Sequence, residues 1–136
     1  MIPRFIRDLI SHTSPTIFGD GESSRDFCYV DNVVQANLLA SLADKEKVAN
    51  KVFNVAFGQR TTLNELFNLS RGIVARQAED SKALSVQPHY GPFRPGDIKH
   101  SHADVSLAKQ ALGYAPQIDI HKGLELLIDW TLKGNS

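Results

Sequence analysis

The chain has 136 residues, of which 42% are hydrophobic and 22% are charged, with 15 lysines and arginines against 15 aspartates and glutamates. A chain of this length is expected to fold as one domain, since it can bury about two-thirds of its unfolded surface. Zero net charge removes the long-range field that would attract nucleic acid or an anionic membrane, so we expect neither as a partner.

Two further features of the sequence concern membranes and the cellular compartment. No apolar run approaches the ~20 residues that a membrane span needs, and residues 1–4, Met-Ile-Pro-Arg, do not resemble the start of a secretory signal. Cys28 is the only cysteine, so no intrachain disulfide can form. Together they predict a cytoplasmic protein with a reduced, inert thiol.

Apolar periodicity predicts helices and short strands in the first half of the chain. Residues 2–11 have helical spacing behind Pro3, and the β-prone residues 16–18 run into a Gly-Asp-Gly turn. A second strand is expected over residues 26–30. Asp31 is then expected to cap a helix ending near Ala43, with an apolar face made of Val33, Val34, Leu38, Leu39 and Leu42.

The second half is predicted to contain more helix than strand. Residues 52–57 form a nearly continuous apolar run, which is typical of a strand buried on both faces. A capping box at residues 62–65 begins a helix, and residues 84–88 are a further candidate strand. Residues 90–102 hold two glycines and two prolines, which predicts a long irregular loop. Helices are expected from Asp104 to Leu112 and after Asp119, giving a mixed α+β domain of short strands with about five helices over residues 1–136.

The first candidate binding loop spans residues 19–26 and carries Arg25 at the mouth of a strand. A guanidinium in that position can donate two parallel hydrogen bonds to phosphate oxygens. An ion pair of Arg25 with Glu22 or Asp26 explains the same pattern, and spacing alone favours it because such pairs are common.

The second candidate loop spans residues 93–102 and combines Arg94 with Asp97. An arginine for phosphates and a carboxylate for vicinal hydroxyls would suit the diphosphate and ribose of a nucleotide. A mutual ion pair is again the more common arrangement on spacing alone. His100 and His102 lack further ligands nearby, so no metal site is expected.

Four ordered segments resemble the C-terminal part of extended short-chain dehydrogenases/reductases that act on nucleotide sugars. They are TIFGDG at 16–21, SRDFCYVDNVV at 24–34, VFNV at 52–55 and RPGDIKHS at 94–101. The resemblance is greatest to the bacterial UDP-N-acetylglucosamine 4-epimerases of O-antigen and capsule synthesis. It implies an α/β protein of Rossmann type, of which this chain would be the small substrate-binding domain.

The resemblance implies a nucleotide-sugar site at the two arginine-bearing loops. Arg25 and Arg94 would bind the diphosphate, and Asp97 would hold the ribose hydroxyls. This favours the binding interpretation of both loops over the ion-pair interpretation.

The resemblance also assigns roles to side chains that no spacing argument singles out. Ile17 and Phe18 would flank the uracil, and Asn54 would lie near the phosphates. Ser101 would face the 2-substituent of the sugar, where a small side chain leaves room for an N-acetyl group.

Features of the family's N-terminal Rossmann domain are missing from this sequence. It has no Gly-x-x-Gly-x-x-Gly motif for NAD, and no tyrosine is followed four residues later by lysine. NAD and the catalytic residues are therefore expected in an N-terminal half outside this chain. We expect the chain alone to be inactive, and to bind that half or self-associate through apolar surface around Val30, Val33, Val34 and residues 52–57.

Two alternatives remain open from the sequence. The same scaffold serves nucleotide-sugar 4,6-dehydratases and decarboxylases, which differ mainly in catalytic residues of the N-terminal half. A stand-alone module that binds a protein partner through the same surface is the alternative from another functional class.

Overall fold

The computed structural model describes residues 1–134 and contains six α-helices, one 3-10 helix and four short strands within that range. In chain order they are α1 (Ile2–Ile10), β1 (Thr16–Phe18), β2 (Ser24–Arg25), α2 (Val30–Leu42), α3 (Lys45–Val48), β3 (Thr61–Thr62), α4 (Leu63–Gln77), the 3-10 helix Ser81–Ser85, β4 (His89–Gly91), α5 (Ser106–Leu112) and α6 (Ile120–Leu132). The mixed α/β class and the predominance of helix agree with the sequence.

The strands form two separate two-stranded ladders. β1 runs parallel to β4, pairing Thr16 with His89 and Phe18 with Gly91. β2 is antiparallel to β3, and Ser24 also bridges to His100. These ladders bring the ends of β1 and β2 next to residues 91–101, which are distant from them in sequence.

The main core lies between α1, α4 and α6. Its fully buried side chains include Leu9, Leu66 and Ile128, and the rings of Phe5 and Phe67 meet edge to face with centroids 5.9 Å apart. The predicted capping box holds the start of α4, where Thr62 Oγ1 accepts from Glu65 N–H (3.1 Å) and Thr62 N–H donates to Glu65 Oε2 (2.7 Å). This core fixes α1 and β1 against each other, which sets the position of the candidate site.

A second, smaller core joins α2 to α5 and the segment after it. It contains Ala36, Ala108, Leu112 and Tyr114. Tyr114 donates a hydrogen bond to Ala56 C=O (2.9 Å), and burial raises the pKa of its phenol. This hydrogen bond ties residues 52–57 to the α2–α5 unit.

The strand predicted at residues 26–30 does not form. β2 is two residues long and ends at Arg25, and α2 already begins at Val30 without a side-chain cap from Asp31. The Asp26 carboxylate accepts from Gly58 N–H (3.1 Å) and lies 3.4 Å from Ala103 N. Asp26 thus binds the backbones of two loops, which replaces the strand pairing that the apolar sequence suggested.

The buried strand predicted at residues 52–57 is also absent. These residues have no strand partner within residues 1–134, and Val52 is 87% exposed. An apolar run forms a strand only where a neighbouring strand supplies hydrogen bonds. The described part of the chain supplies none here.

The predicted strand at residues 84–88 is shifted along the chain. Residues 81–85 form a 3-10 helix that Asp80 caps by accepting from Lys82 N–H (3.0 Å), and β4 follows at His89–Gly91. β4 therefore includes Tyr90 and Gly91, which the glycine and proline content had assigned to an irregular loop. Pairing with β1 decides its position, starting with His89 N–H donating to Pro15 C=O (2.8 Å).

Other predicted boundaries are confirmed. α1 and β1 lie where periodicity placed them, Gly113 ends α5 with φ +70°, and Asp119 caps α6 by accepting from Lys122 N–H (2.8 Å). The polar residues 44–50 contain the one-turn helix α3. Within residues 1–134, no helix combines the length and apolarity that crossing a bilayer requires.

Candidate functional site

A cleft of about 290 Å³ opens between α1, the ends of β1 and β2, and the loop of residues 92–99. Its size is that of a small ligand pocket. The lining residues are Met1, Arg4, Phe5, Thr16, Ile17, Phe18, Ser23, Arg25, Leu63, Arg94 and Asp97. Five of the seven predicted site residues therefore meet here: Ile17, Phe18, Arg25, Arg94 and Asp97.

Arg25 is positioned by backbone carbonyls rather than by a carboxylate. Its Nη1 donates to Ser24 C=O (2.9 Å) and lies 3.4 Å from Lys99 O. Glu22 instead accepts from Asn64 Nδ2 (2.7 Å), and the ion pairs formed among residues 1–134 include neither Arg25–Glu22 nor Arg25–Asp26. The positive charge of Arg25 therefore has no partner carboxylate in the described part of the cleft.

Arg94 and Asp97 lie at the two ends of a tight turn. Asp97 N–H donates to Arg94 C=O (3.2 Å), and Gly96 takes the positive φ (+83°) that this turn needs. The Arg94 Cζ atom lies 3.6 Å from the centroid of the Phe18 ring. No Arg94–Asp97 ion pair forms in the described part of the chain, so the carboxylate and the guanidinium remain separate groups.

Arg4 is a third arginine of the cleft, and no sequence motif indicates it. It projects from α1, and its Nε lies 3.5 Å from Asp8 Oδ2 one turn further along the helix. The sequence around Arg4 predicts only an amphipathic helix. It does not indicate a binding role, because the loops that complete the cleft lie elsewhere in the sequence. The three arginines outnumber the single lining carboxylate, Asp97, which favours an anionic ligand.

Asn54 and Ser101 do not line this cleft. Asn54 Nδ2 donates to Asp104 C=O (3.1 Å), which joins two loops on the α2–α5 side. Ser101 N–H donates to Ser24 C=O (3.0 Å), so its backbone lies beside β2, one residue from Arg25. Ser101 is thus close to the cleft because β2 lies between them. The Asn54 side chain instead has a structural role, since it binds the backbone of Asp104.

Residues 1–134 offer no fitting site for NAD or a metal ion. Gly72 and Gly123 lie inside α4 and α6 and Gly91 lies in β4, and the glycines at turns do not form a glycine-rich loop before a helix N-terminus. In the same range, no group of histidine, cysteine or acidic side chains has the arrangement of a metal site. The half-buried Cys28 thiol contacts Tyr29 C=O at 3.7 Å and the Tyr114 hydroxyl at 3.8 Å.

Comparison with known proteins identifies the family. Residues 1–127 match the model of the family described as GDP-mannose 4,6 dehydratase. A putative UDP-glucose 4-epimerase of Methanocaldococcus jannaschii is 32% identical over 135 residues, which are 99% of this chain and 40% of that protein.

Solved structures agree with the sequence match. A UDP-N-acetylglucosamine 4-epimerase from Methanobrevibacter ruminantium M1, in complex with UDP-N-acetylmuramic acid, superposes with a TM-score of 0.82 at 36% identity, covering 98% of this chain and 39% of that one. MoeE5, in complex with UDP-glucuronic acid and NAD, gives a TM-score of 0.78 at 31% identity, covering 98% of this chain and 41% of that one.

This chain thus spans about 40% of the length of the proteins it matches. The family model nevertheless covers nearly all of its residues, and the solved structures share its fold. The chain belongs to the NAD-dependent epimerase/dehydratase family of extended short-chain dehydrogenases/reductases.

Proposed function

We propose that this chain is the UDP-sugar-binding portion of an NAD-dependent UDP-sugar 4-epimerase, with UDP-N-acetylglucosamine and UDP-N-acetylgalactosamine as substrates. The observation that carries the proposal is the convergence of Arg25, Arg94 and Asp97 on one cleft from two loops about 70 residues apart. A putative UDP-glucose 4-epimerase resembles this chain in sequence, and two solved structures with bound UDP-sugars resemble it in fold and sequence.

The chemistry of the cleft suits a nucleoside diphosphate. Arg25 and Arg94 lack carboxylate partners within residues 1–134, so each can donate charge-assisted hydrogen bonds to phosphate oxygens. Asp97 can accept hydrogen bonds from the two ribose hydroxyls. The uracil is proposed to lie along the backbone of Ile17 and Phe18 on β1, because the Ile17 side chain itself is buried in the core.

The proposed preference for N-acetylated sugars rests on Ser101. Its backbone is fixed beside β2 by the hydrogen bond to Ser24 C=O, one residue from Arg25. A sugar attached to a diphosphate at Arg25 would lie near this position. The small serine side chain leaves room there for a 2-acetamido group.

The reacting groups are proposed to come from an N-terminal portion outside these 136 residues. NAD bound in that portion would supply hydride transfer at sugar C4. The residues of this chain bind the nucleotide and hold the sugar in position, and none of them is assigned a proton-transfer role. The Asn54 amide now donates to Asp104 C=O. Asn54 is therefore proposed to lie near the phosphates only if contact with the N-terminal portion rearranges the loop that carries Asn54.

The exposed apolar face of α2 is the proposed contact for that N-terminal portion. Val30, Val34, Leu38 and Leu42 on α2 are 48–83% exposed, and Val52 nearby in sequence is 87% exposed. Contiguous apolar surface of this kind marks an interaction site. In the isolated chain the same face would support self-association.

Calorimetry with UDP, ADP and GDP tests the binding proposal directly. UDP should bind and the purine nucleotides should bind at least about tenfold more weakly, as expected for a site shaped for uracil. A coupled epimerase assay with added NAD should show no turnover by the chain alone and turnover once the N-terminal portion of the protein is joined to it. Absence of UDP binding would refute the proposal.

A 4,6-dehydratase is the second candidate, because the matching family model carries that description. Such an enzyme would share the nucleotide site but release a 4-keto-6-deoxy sugar nucleotide. Analysis of the reaction product by mass spectrometry separates the two, since dehydration removes one water and epimerisation leaves the mass unchanged.

A further inference from the structure

Within the cleft, the Arg94 side chain contacts an aromatic ring, and among residues 1–134 it forms no ion pair with a carboxylate. Its Cζ atom lies 3.6 Å from the centroid of the Phe18 ring. A guanidinium over a ring at this distance is attracted by the negative potential of the π face. The contact therefore restricts where the guanidinium can point.

The backbone around this contact holds the two groups in register. Gly19 N–H donates to Gly91 C=O (2.9 Å), which continues the pairing of β1 with β4 by one residue. A Cβ on Gly19 would overlap the Phe93 ring, so this ring packs directly on the Gly19 backbone. Phe93 thus packs on Gly19, and Arg94 packs on Phe18. Two consecutive loop residues therefore contact the end of β1.

Other residues of the protein already contact the Phe18 ring. Arg94 covers one face, and a Cβ placed on Gly91 would lie only 3.3–3.4 Å from ring atoms Cδ1 and Cε1. A uracil cannot stack on the covered face while Arg94 stays in place. The ring can still contribute to nucleotide binding through the arginine that it holds.

We infer that Phe18 is a positioning residue whose ring holds the Arg94 guanidinium over the cleft, with its N–H donors available to the diphosphate. The inference rests on the proposed function for the identity of the ligand, and it assigns Phe18 an effect on the phosphates rather than on the base. Arg94 supplies the charge, and Phe18 limits the conformations in which that charge can lie.

The test compares UDP with uridine, which has the base and ribose but no phosphate. In Phe18→Leu, UDP affinity should fall about two- to fivefold, the strength of an exposed cation–π contact, and uridine affinity should not change. Phe18→Trp keeps an aromatic face and should retain UDP affinity. Phe53→Leu is the matched control, because it removes a half-buried aromatic ring that packs against the second core, outside the cleft.

A double-mutant cycle and a spectroscopic signature supply readouts that general destabilisation would not give. In the Arg94→Ala background, Phe18→Leu should cause no further loss of UDP affinity. The side-chain NMR resonances of Arg94 should show an upfield ring-current shift that Phe18→Leu removes.

Two outcomes would overturn the inference while leaving the proposed function intact. One is an equal loss of UDP and uridine affinity in Phe18→Leu, which would place the ring against the base. The other is an undiminished effect of Phe18→Leu on UDP without Arg94. Failure of the unmodified chain to bind UDP would instead refute the proposed function, and this inference with it.

Discussion

Helices α4 and α2 are both rich in apolar residues, but only α4 buries them. In α4, Leu66, Phe67, Ile73 and Val74 are at most 3% exposed and pack in the core with α1 and α6. In α2, the buried residues are Asn32 and Ala36, while Leu38 and Leu42 are 60% and 83% exposed. The sequence predicts an apolar face for both helices, yet in one of them that face meets solvent.

The difference shows that an apolar pattern identifies a surface that needs covering without identifying what covers it. α4 finds its neighbours within these 136 residues, and the cleft is built on that packed region. α2 is attached through its other side, where Asn32 Nδ2 donates to Ile118 C=O (2.7 Å) and Oδ1 accepts from Gln117 N–H (2.9 Å). The outer face of α2 is apolar and exposed, and the relatives that this chain matches are much longer than the chain.

The largest expected contrast is between two leucine-to-alanine substitutions. Leu66→Ala in α4 leaves a cavity in the core and should lower the free energy of unfolding by about 2–5 kcal/mol. Leu42→Ala in α2 removes an exposed side chain and should change it by less than about 0.5 kcal/mol. Urea unfolding of both variants measures the two values, and equal losses would contradict the division into a packed and an uncovered region.

Nucleotide binding should depend on the packed region. Arg25→Ala and Arg94→Ala should each weaken UDP binding by ~1.5–3 kcal/mol, about tenfold to hundredfold, through loss of a charge-assisted hydrogen bond. Arg7→Ala is the matched control, because Arg7 is an exposed arginine of α1 outside the cleft. Calorimetry that found unchanged UDP binding in both cleft variants would refute the assignment.

The substitution Ser101→Tyr tests the sugar end of the site. The larger side chain beside β2 should exclude a 2-acetamido group, so kcat/KM for UDP-N-acetylglucosamine should fall at least about tenfold in the protein that includes the N-terminal portion. Turnover of UDP-glucose should persist. Ser101→Thr serves as the conservative control, and a similar loss of kcat/KM on both sugars would show that Ser101 does not select the 2-substituent.

The uncovered face can be tested without touching the cleft. Replacing Leu38 and Leu42 together by lysine should convert self-associated chain to monomer, because it removes exposed apolar area and adds charge. UDP affinity should stay within about twofold of the unmodified chain, since α2 does not line the cleft. Sedimentation velocity reports the association state, and a monomer before substitution would contradict the prediction.

The smallest effect concerns an exposed ion pair of the packed region. His12 Nε2 contacts Asp80 Oδ2 across 68 residues of sequence, and this hydrogen bond lowers the pKa of the Asp80 carboxyl below its usual value. A lowered folded-state pKa adds stability that is complete above the unfolded value and is lost as pH falls through the folded one. Asp80→Asn should therefore reduce Tm at about pH 5, with the difference disappearing toward about pH 2.

Asp44→Asn is the control for this pair. Asp44 contacts Lys47 at 2.7 Å within the single turn of α3, and the pair lowers the pKa of Asp44 in the same direction. Because this contact is local, its loss should change Tm less than loss of the long-range pair. A larger effect of Asp44→Asn would show that sequence separation does not govern the contribution of these exposed pairs.

Much of the local structure could be predicted from short sequence signals. Thr62 and Glu65 specify the start of α4, Asp119 caps α6 and Gly113 ends α5, because each signal acts through the backbone within a few residues. The motifs around Arg25 and Arg94 also indicate the family, because the order of their residues is itself the signal. These features depend on chemistry that neighbouring residues carry themselves.

Only the tertiary structure decided where strands form and which groups share the cleft. The apolar residues 52–57 lack a strand partner within residues 1–134, while the less apolar residues 89–91 form β4 because β1 lies beside them. Arg4 enters the cleft, and Arg94 lies over Phe18, through contacts between segments far apart in sequence. Strand pairing and cleft formation are properties of two distant segments at once, so neither segment's sequence specifies them alone.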